Sequence, residues 1–228
     1  PPRSTLFPYT TLFRSAAEQQ RLRDAREHRE QETARMLAHL EADAGRRYRD
    51  CSFDTFHIRL PGQAAVIEAA RQYAVGLPPE SARTGAGLLL FGPAGTGKDH
   101  VAIGIGREAI EQHGMAVRLV SGPALFRMAR DAMSAGREGA ALRPYIACPL
   151  LILSDPVPPR GGLSDWQSGV LYELVDGRYR DRRPTITTVN VATGEEADQR
   201  LTPQVLDRLR DGATILKCDW PSYRRAKP

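Results

Sequence analysis

The stretch from Gly87 to His113 constrains the fold more than any other. Gly87 to Phe91 (GLLLF) is a continuous apolar run of strand length. GPAGTGK follows at once over residues 92–98, and Lys98 to His113 has helical apolar spacing. Strand, glycine-rich loop and helix in that order are the context in which GxxxxGK binds phosphate. The chemistry asks for these residue types. Glycines let successive backbone N–H groups turn toward one centre. The helix N-terminus adds its partial positive charge, and Lys98 reaches the β and γ phosphates of a nucleoside triphosphate. Gly92, Pro93, Ala94, Gly95, Thr96, Gly97, Lys98, Asp99 and His100 are therefore the expected nucleotide-binding stretch, with His100 itself read as structural. One position departs from the motif. Asp99 stands where a Ser or Thr normally offers its hydroxyl to Mg²⁺.

Downstream, apolar runs alternate with amphipathic stretches. Strands are predicted at 116–120, 149–153, 184–190 and 213–220. Helices are predicted at 123–134, at 165–179 and from Pro203, with Thr202 as cap. Such alternation makes an α/β fold with a mainly parallel sheet. Upstream, Ala16 to Ala44 has no Gly or Pro and is rich in Ala, Arg, Glu and Gln. It reads as one long helix stopped near Gly45. Arg46 to Leu60 is an aromatic and basic linker, and Gln63 to Tyr73 a short helix. Residues 1–15 (PPRSTLFPYTTLFRS) resemble the translation of a sequencing adapter and are set aside, which leaves the true N-terminus open. The expected domains are thus 16–52, a helix and linker, and 53–228, an α/β domain.

Composition narrows the function classes. With 41% apolar and 26% charged residues the 228-residue chain is ordinary globular material. No apolar run approaches a membrane span. Cys51, Cys148 and Cys218 are scattered and form no CxxC pair, which argues against a disulfide framework or zinc site and fits a reducing cytoplasm. The net charge of +5 permits nucleic-acid contact without demonstrating it. Arg178, Arg180, Arg182 and Arg183, with Tyr179 among them, form a basic run that either binds single-stranded DNA or is a solvated loop.

The apolar run PLLIL runs into Ser154, Asp155 and Pro156. In phosphate-loop ATPases such a strand ends in two acids, one for Mg²⁺ and one for the attacking water. Here Ser154 takes the metal position and Asp155 the water-activating one. The two departures are complementary: the hydroxyl missing at Asp99 stands at Ser154, and the carboxylate missing at Ser154 stands at Asp99. An exchange keeps one hydroxyl and one carboxylate beside Mg²⁺. The alternatives are a protein that binds ATP without hydrolysing it, and a shift of register that gives the metal to Asp155. Asp99, Ser154 and Asp155 are the candidate metal-facing residues.

GPAGTGKDH, LLILSDP, RRPTITTVN, LDRLRDG and WPSYR occur in an order and spacing that resemble the DnaC/IstB-type AAA+ ATPases, from about Tyr48 to Arg224. The resemblance implies a five-stranded sheet of order 5-1-4-3-2, ATP and Mg²⁺ as cofactors, and no large C-terminal lid. It implies that Asn190 is the sensor at the end of its strand. Arg208, with Arg210 as alternative, would be the arginine finger given to a neighbouring subunit, and Arg224 a second γ-phosphate contact. Lys98, Asp155, Asn190, Arg208 and Arg224 are then the catalytic set. The function implied is an ATP-dependent replicative helicase loader that assembles into homo-oligomers and contacts the helicase and single-stranded DNA. A transposition ATPase and a non-hydrolysing nucleotide-dependent interaction protein are the alternatives.

Overall fold

A computed structural model describes residues 16–77 and 84–224. The adapter-like segment 1–15 lies outside the described residues. Helix α1 spans Ala16–Ala44, as its composition predicts. The chain to Arg35 forms one unit and the residues from Met36 onward another. In the first unit the helix is laced by pairs four residues apart, Gln20 with Asp24 and Arg26 with Glu30. In the second, Met36, Leu37 and buried Leu40 pack into a hydrophobic core. Asp43 accepts from Arg118 Nε at 2.7 Å and from the backbone N–H of Leu119 at 3.1 Å. The end of the long helix thus belongs to the α/β body, which begins 17 residues ahead of Phe53.

A 3₁₀ turn, Arg46–Tyr48, leads into the linker, and helix α2 spans Pro61–Val75. Pro61 opens this helix rather than closing the linker, because its fixed φ suits a first helical position. Five strands follow: β1 (Leu88–Phe91), β2 (Val117–Ser121), β3 (Leu150–Ser154), β4 (Thr185–Val189) and β5 (Thr214–Lys217). Between them lie α3 (Lys98–His113), α4 (Gly122–Ser134), α5 (Glu138–Ala147), α6 (Asp165–Arg180), α7 (Gly194–Arg200) and α8 (Pro203–Arg210). The strands are all parallel in the order β2-β3-β4-β1-β5, the implied 5-1-4-3-2 read from the other edge. Among the described residues no helix is long and apolar enough to cross a membrane.

Both faces of the sheet are covered. On β3, Leu150 and Ile152 enter one core with α2, α3 and the end of α1, while Leu151 and Leu153 enter the other. That two-sided burial is why the strand reads as an unbroken apolar run. Two glycines in α3 set how closely the layers meet. A Cβ on Gly106 would lie 3.0 Å from Ile152 and 3.2 Å from Leu40, and one on Gly104 would lie 3.3 Å from Phe53. The phosphate loop leaves the C-terminal end of β1, beside the point where the connections diverge to opposite edges of the sheet, where open α/β sheets bind ligands.

The basic run is corrected by the structure. Arg178 is 1% exposed and makes no DNA-facing surface. Its guanidinium donates to Tyr145 O (2.6 Å), Cys148 O (2.8 Å), Pro184 O (2.6 Å) and Thr185 Oγ1 (2.9 Å). It therefore staples the carbonyl end of α5 to the entries of β3 and β4, a favourable place for a cation. Burial pulls its pKa down to about 10, so it stays charged at neutral pH. Arg180 pairs with Asp176, and Arg183 with Asp181 and the carbonyl of Ala147. Arg178→Met should lower unfolding stability by about 3 kcal/mol or more, because four buried or half-buried acceptors lose a charged donor. Arg178→Lys should recover only part, since an ammonium cannot span the fork. Urea denaturation of the three proteins checks this.

Candidate functional site

The loop of residues 92–97 is shaped by three glycines with positive φ: Gly92 at 150°, Gly95 at 85° and Gly97 at 90°. Each is also approached closely. A Cβ on Gly92 would lie 2.3 Å from Cys218 O, and one on Gly95 would lie 2.0 Å from Ser222 Oγ. One on Gly97 would lie 2.8 Å from Phe56. The contacts to Gly92 and Gly95 come from the segment after β5. There Trp220 Nε1 donates to Thr96 O (2.8 Å) and Tyr223 N donates to Gly95 O (2.9 Å). Residues 218–224 thus wrap the phosphate loop, although the sequence suggested a strand as far as 220. Pro93 and Ala94 form the tip, and Thr96 Oγ1 donates to Pro93 O at 3.0 Å.

Lys98 is 5% exposed and donates to Gly92 O and Pro93 O, both at 2.8 Å, and to Thr96 Oγ1 at 3.5 Å. Burial lowers its pKa from the ordinary value, opposed by Cys218, Asp99 and Asp155. Its ammonium sits at the loop, and a phosphate oxygen can replace one of these carbonyls.

Asp99 and Ser154 meet directly: Ser154 Oγ donates to Asp99 Oδ1 at 2.9 Å. Thr188 Oγ1 donates to the same oxygen at 2.8 Å, and Tyr48 OH reaches Oδ2 at 3.4 Å. Asp155, next along, has φ of 44°, which aims it away from the strand direction. Asn190 Nδ2 donates to Asp155 Oδ2 at 2.5 Å and Asn190 N to Oδ1 at 3.3 Å. Burial pushes the Asp155 carboxyl up, and the two Asn190 donors pull it back. The donors here are all hard oxygens with two carboxylates among them. That suits Mg²⁺, which binds through one or two carboxylates plus substrate phosphates. Among the described residues no group of three or more His, Cys, Asp or Glu gathers as a separate metal cage.

Part of this set lines a cleft of about 400 Å³; Asp155 and Thr188 do not line it, and Ser154 lines a neighbouring cavity with Asp99 and Tyr48. Ala94, Gly95, Gly97, Lys98, Asp99, His100, Asn190 and Arg224 line the cleft from the expected set, and Tyr48, Phe56, Arg59 and Tyr223 close it from the linker and the C-terminal segment. Tyr223 OH donates to His57 O at 2.6 Å, and Arg59 lies 4.9 Å over the Tyr223 ring. His100 Nε2 lies 2.7 Å from Ser52 O and 3.2 Å from Thr55 Oγ1, so it holds the linker against α3. Arg208 is not among the residues of this cleft. It lies on α8, where Asp176 Oδ1 accepts from its Nε at 2.8 Å and Tyr172 OH from its Nη2 at 3.0 Å. The Tyr172 and Tyr179 rings lie 4.8 and 5.7 Å from its guanidinium. Arg210 pairs with Asp198.

Thr188, Tyr48 and Tyr223 were not singled out in the sequence. Thr188 could have been found by alternation, since Ile186 and Thr188 share one face of β4 and the strand runs into Asn190. Tyr48 carries no local signal, and Tyr223 only its place in WPSYR, because each meets the site from a distant part of the chain.

The model of the IstB-like ATP binding protein family matches residues 12–228. A putative insertion sequence ATP-binding protein of Sinorhizobium fredii is 31% identical over 195 residues, 84% of this chain and 61% of that protein. The chain thus spans less than two thirds of that relative. The replicative helicase loader DnaC of Buchnera aphidicola subsp. Acyrthosiphon pisum is 29% identical over 182 residues, 78% of this chain and 71% of that one. The crystal structure of the DnaC helicase loader superposes with a TM-score of 0.68 at 25% identity, over 76% of this chain and 99% of the other. With a family match along nearly its whole length and a fold that superposes on the DnaC helicase loader, the chain belongs to the IstB-like ATP-binding proteins, within the DnaC/IstB-type AAA+ ATPases.

Proposed function

We propose that the protein is a Mg²⁺-dependent ATPase that acts as a switch in loading a replicative helicase onto single-stranded DNA in the bacterial cytoplasm. The observation that carries the ATPase reading is the 2.9 Å contact between Ser154 and Asp99, one residue after the phosphate-loop lysine. It supports an exchange of metal-facing groups rather than their loss. Asp99 and Ser154 would hold Mg²⁺, which neutralises charge on the β and γ phosphates. Asp155, oriented by Asn190, would accept a proton from the attacking water. Arg224, which lines the cleft, would meet the triphosphate from within the chain. Arg208 stands outside the cleft and would serve the site of a neighbouring copy, so turnover requires assembly. ATP-bound subunits would grip the helicase, through the N-terminal helix, and DNA. Hydrolysis to ADP and phosphate would release them.

The trans finger has its own test. Arg208→Ala and Lys98→Ala should each lose about 10²-fold or more in turnover. Mixing them should restore activity, because a Lys98→Ala subunit still lends Arg208 to an intact site. A mixture as inactive as its parts would remove Arg208 from that role.

The identity to the insertion sequence protein of S. fredii favours a second reading, a transposition ATPase acting on duplex DNA. Binding of labelled single-stranded and duplex DNA, with ATP and Mg²⁺, separates the two. Stimulation of turnover by single strands and by a replicative helicase supports the loader. Preference for duplex moves the role to transposition. Turnover no higher than that of Lys98→Ala, with ATP still bound, would make the protein a nucleotide-gated binding partner instead.

A further inference from the structure

Ser154 and Thr188 are Cα partners across β3 and β4. Their hydroxyls leave one face of the sheet toward the first turn of α3 and end on the same atom, Asp99 Oδ1. Thr188 does something more. Its Oγ1 accepts from the backbone N–H of Asp155 at 3.2 Å, and its carbonyl accepts from the same N–H at 2.9 Å. Asp155 is a non-glycine residue with φ of 44°, a conformation that neighbours must hold in place. A threonine hydroxyl has one hydrogen, and here Asp99 takes it while a lone pair takes the Asp155 N–H. Thr188 is 1% exposed, so water does not compete for either bond. The adjacent Thr187 shows that a buried strand hydroxyl here need not do this, for its Oγ1 has no partner.

We propose that Thr188 is a positioning residue of the ATPase site. Its single hydroxyl joins the Asp99 carboxylate to the Asp155 backbone and so sets the two acids at a fixed separation around one Mg²⁺–triphosphate. The inference rests on the reading that Asp99 faces the metal. A valine at this position would fill the same space and keep the strand, so the hydroxyl is the feature in question.

The test uses the full chain with Thr188→Val, Thr188→Ser and Asp99→Ala. A fluorescent ATP analogue is titrated with and without Mg²⁺, and ATP turnover is measured beside it. Thr188→Val should bind the analogue normally without Mg²⁺, lose most of the tightening that Mg²⁺ gives, and turn over about tenfold or more slower. Thr188→Ser should restore both. If Asp99→Ala loses the Mg²⁺ effect while Thr188→Val keeps it, Thr188 only packs and the inference fails. Equal losses in Thr188→Val and Thr188→Ser would also overturn it, since the methyl group would then be what matters. If Asp99→Ala keeps the full Mg²⁺ effect, the metal-facing reading itself is wrong and the inference falls with it. Should the valine variant melt well below the wild type, Thr188→Cys, of similar size and with a weak donor, takes its place with the same expected losses.

Discussion

Lys98→Ala should bring Mg²⁺-dependent ATP hydrolysis down to the blank, a loss of about 10²- to 10³-fold. Two effects combine. The ammonium is a buried cation at the loop, and Lys217, the register partner of Phe91 on β5, is paired with Asp219 instead. The Lys98 ammonium also satisfies Gly92 O and Pro93 O, so the loop loses its internal tie when the side chain is cut back. Lys98→Met keeps the length and volume of the stem and isolates the charge. Its turnover should fall as far as that of the alanine variant, while its melting temperature falls less. Phosphate release and thermal melting, measured on the same preparations, check both. Turnover within threefold of wild type in either variant would end the ATPase reading.

The second large effect concerns the exchanged pair. Asp99→Thr alone leaves two hydroxyls, the introduced one and that of Ser154, with no carboxylate between them. Ser154→Asp alone sets a second carboxylate about a hydrogen bond's length from Asp99 in a half-buried place, where two like charges resist joint ionisation. Each single change should cost about 10- to 100-fold in turnover. Ser154→Asp should also lower the melting temperature. The double variant should return to within several-fold of wild type, because it again has one hydroxyl and one carboxylate. Thr188 favours this recovery: as the register partner of position 154, its hydroxyl can turn from the carboxylate at 99 to one at 154. Contacting residues give coupled effects, and distant ones add. Additive losses in the double variant would mean that the two positions do not share a metal.

The fold was legible where its signals are local. The strand from Leu88 and the helix over Lys98–His113 follow from one apolar run, three glycines and an apolar period. The helix over Ala16–Ala44 follows from composition alone. Two other helices went unread. α5 (EGAALRPYIA) contains a glycine and an internal proline and is held by tertiary packing through Leu142 and the Arg178 staple. α7 has seven mostly polar residues and depends on its cap, where Thr193 Oγ1 accepts from Glu196 N and Glu196 accepts from Ala192 N.

The site divides in the same way. The glycines, Lys98, Asp99, Ser154, Asp155 and Asn190 stand at strand ends or in a spaced motif, and the pattern exposes them. Thr188 meets Asp99 from 89 positions away and Tyr48 from 51, distances over which no pattern carries. Arg178 shows the opposite error: a run of arginines looks like a charged surface until one of them turns inward onto carbonyls.

The wrapping of the phosphate loop by residues 218–224 has a consequence for the order of events during synthesis. Trp220 and Thr96 are 124 positions apart. At a translation rate of about 5–20 residues per second, the loop leaves the ribosome roughly 6–25 seconds before its wall does. Until then Gly92 and Gly95 lack the neighbours that fix their conformation, and the nascent domain has a phosphate motif without a finished cradle. Nucleotide capture would therefore await the wall, and a released chain that ends at residue 217 should form the sheet yet hold ATP far more weakly than one that runs through residue 224.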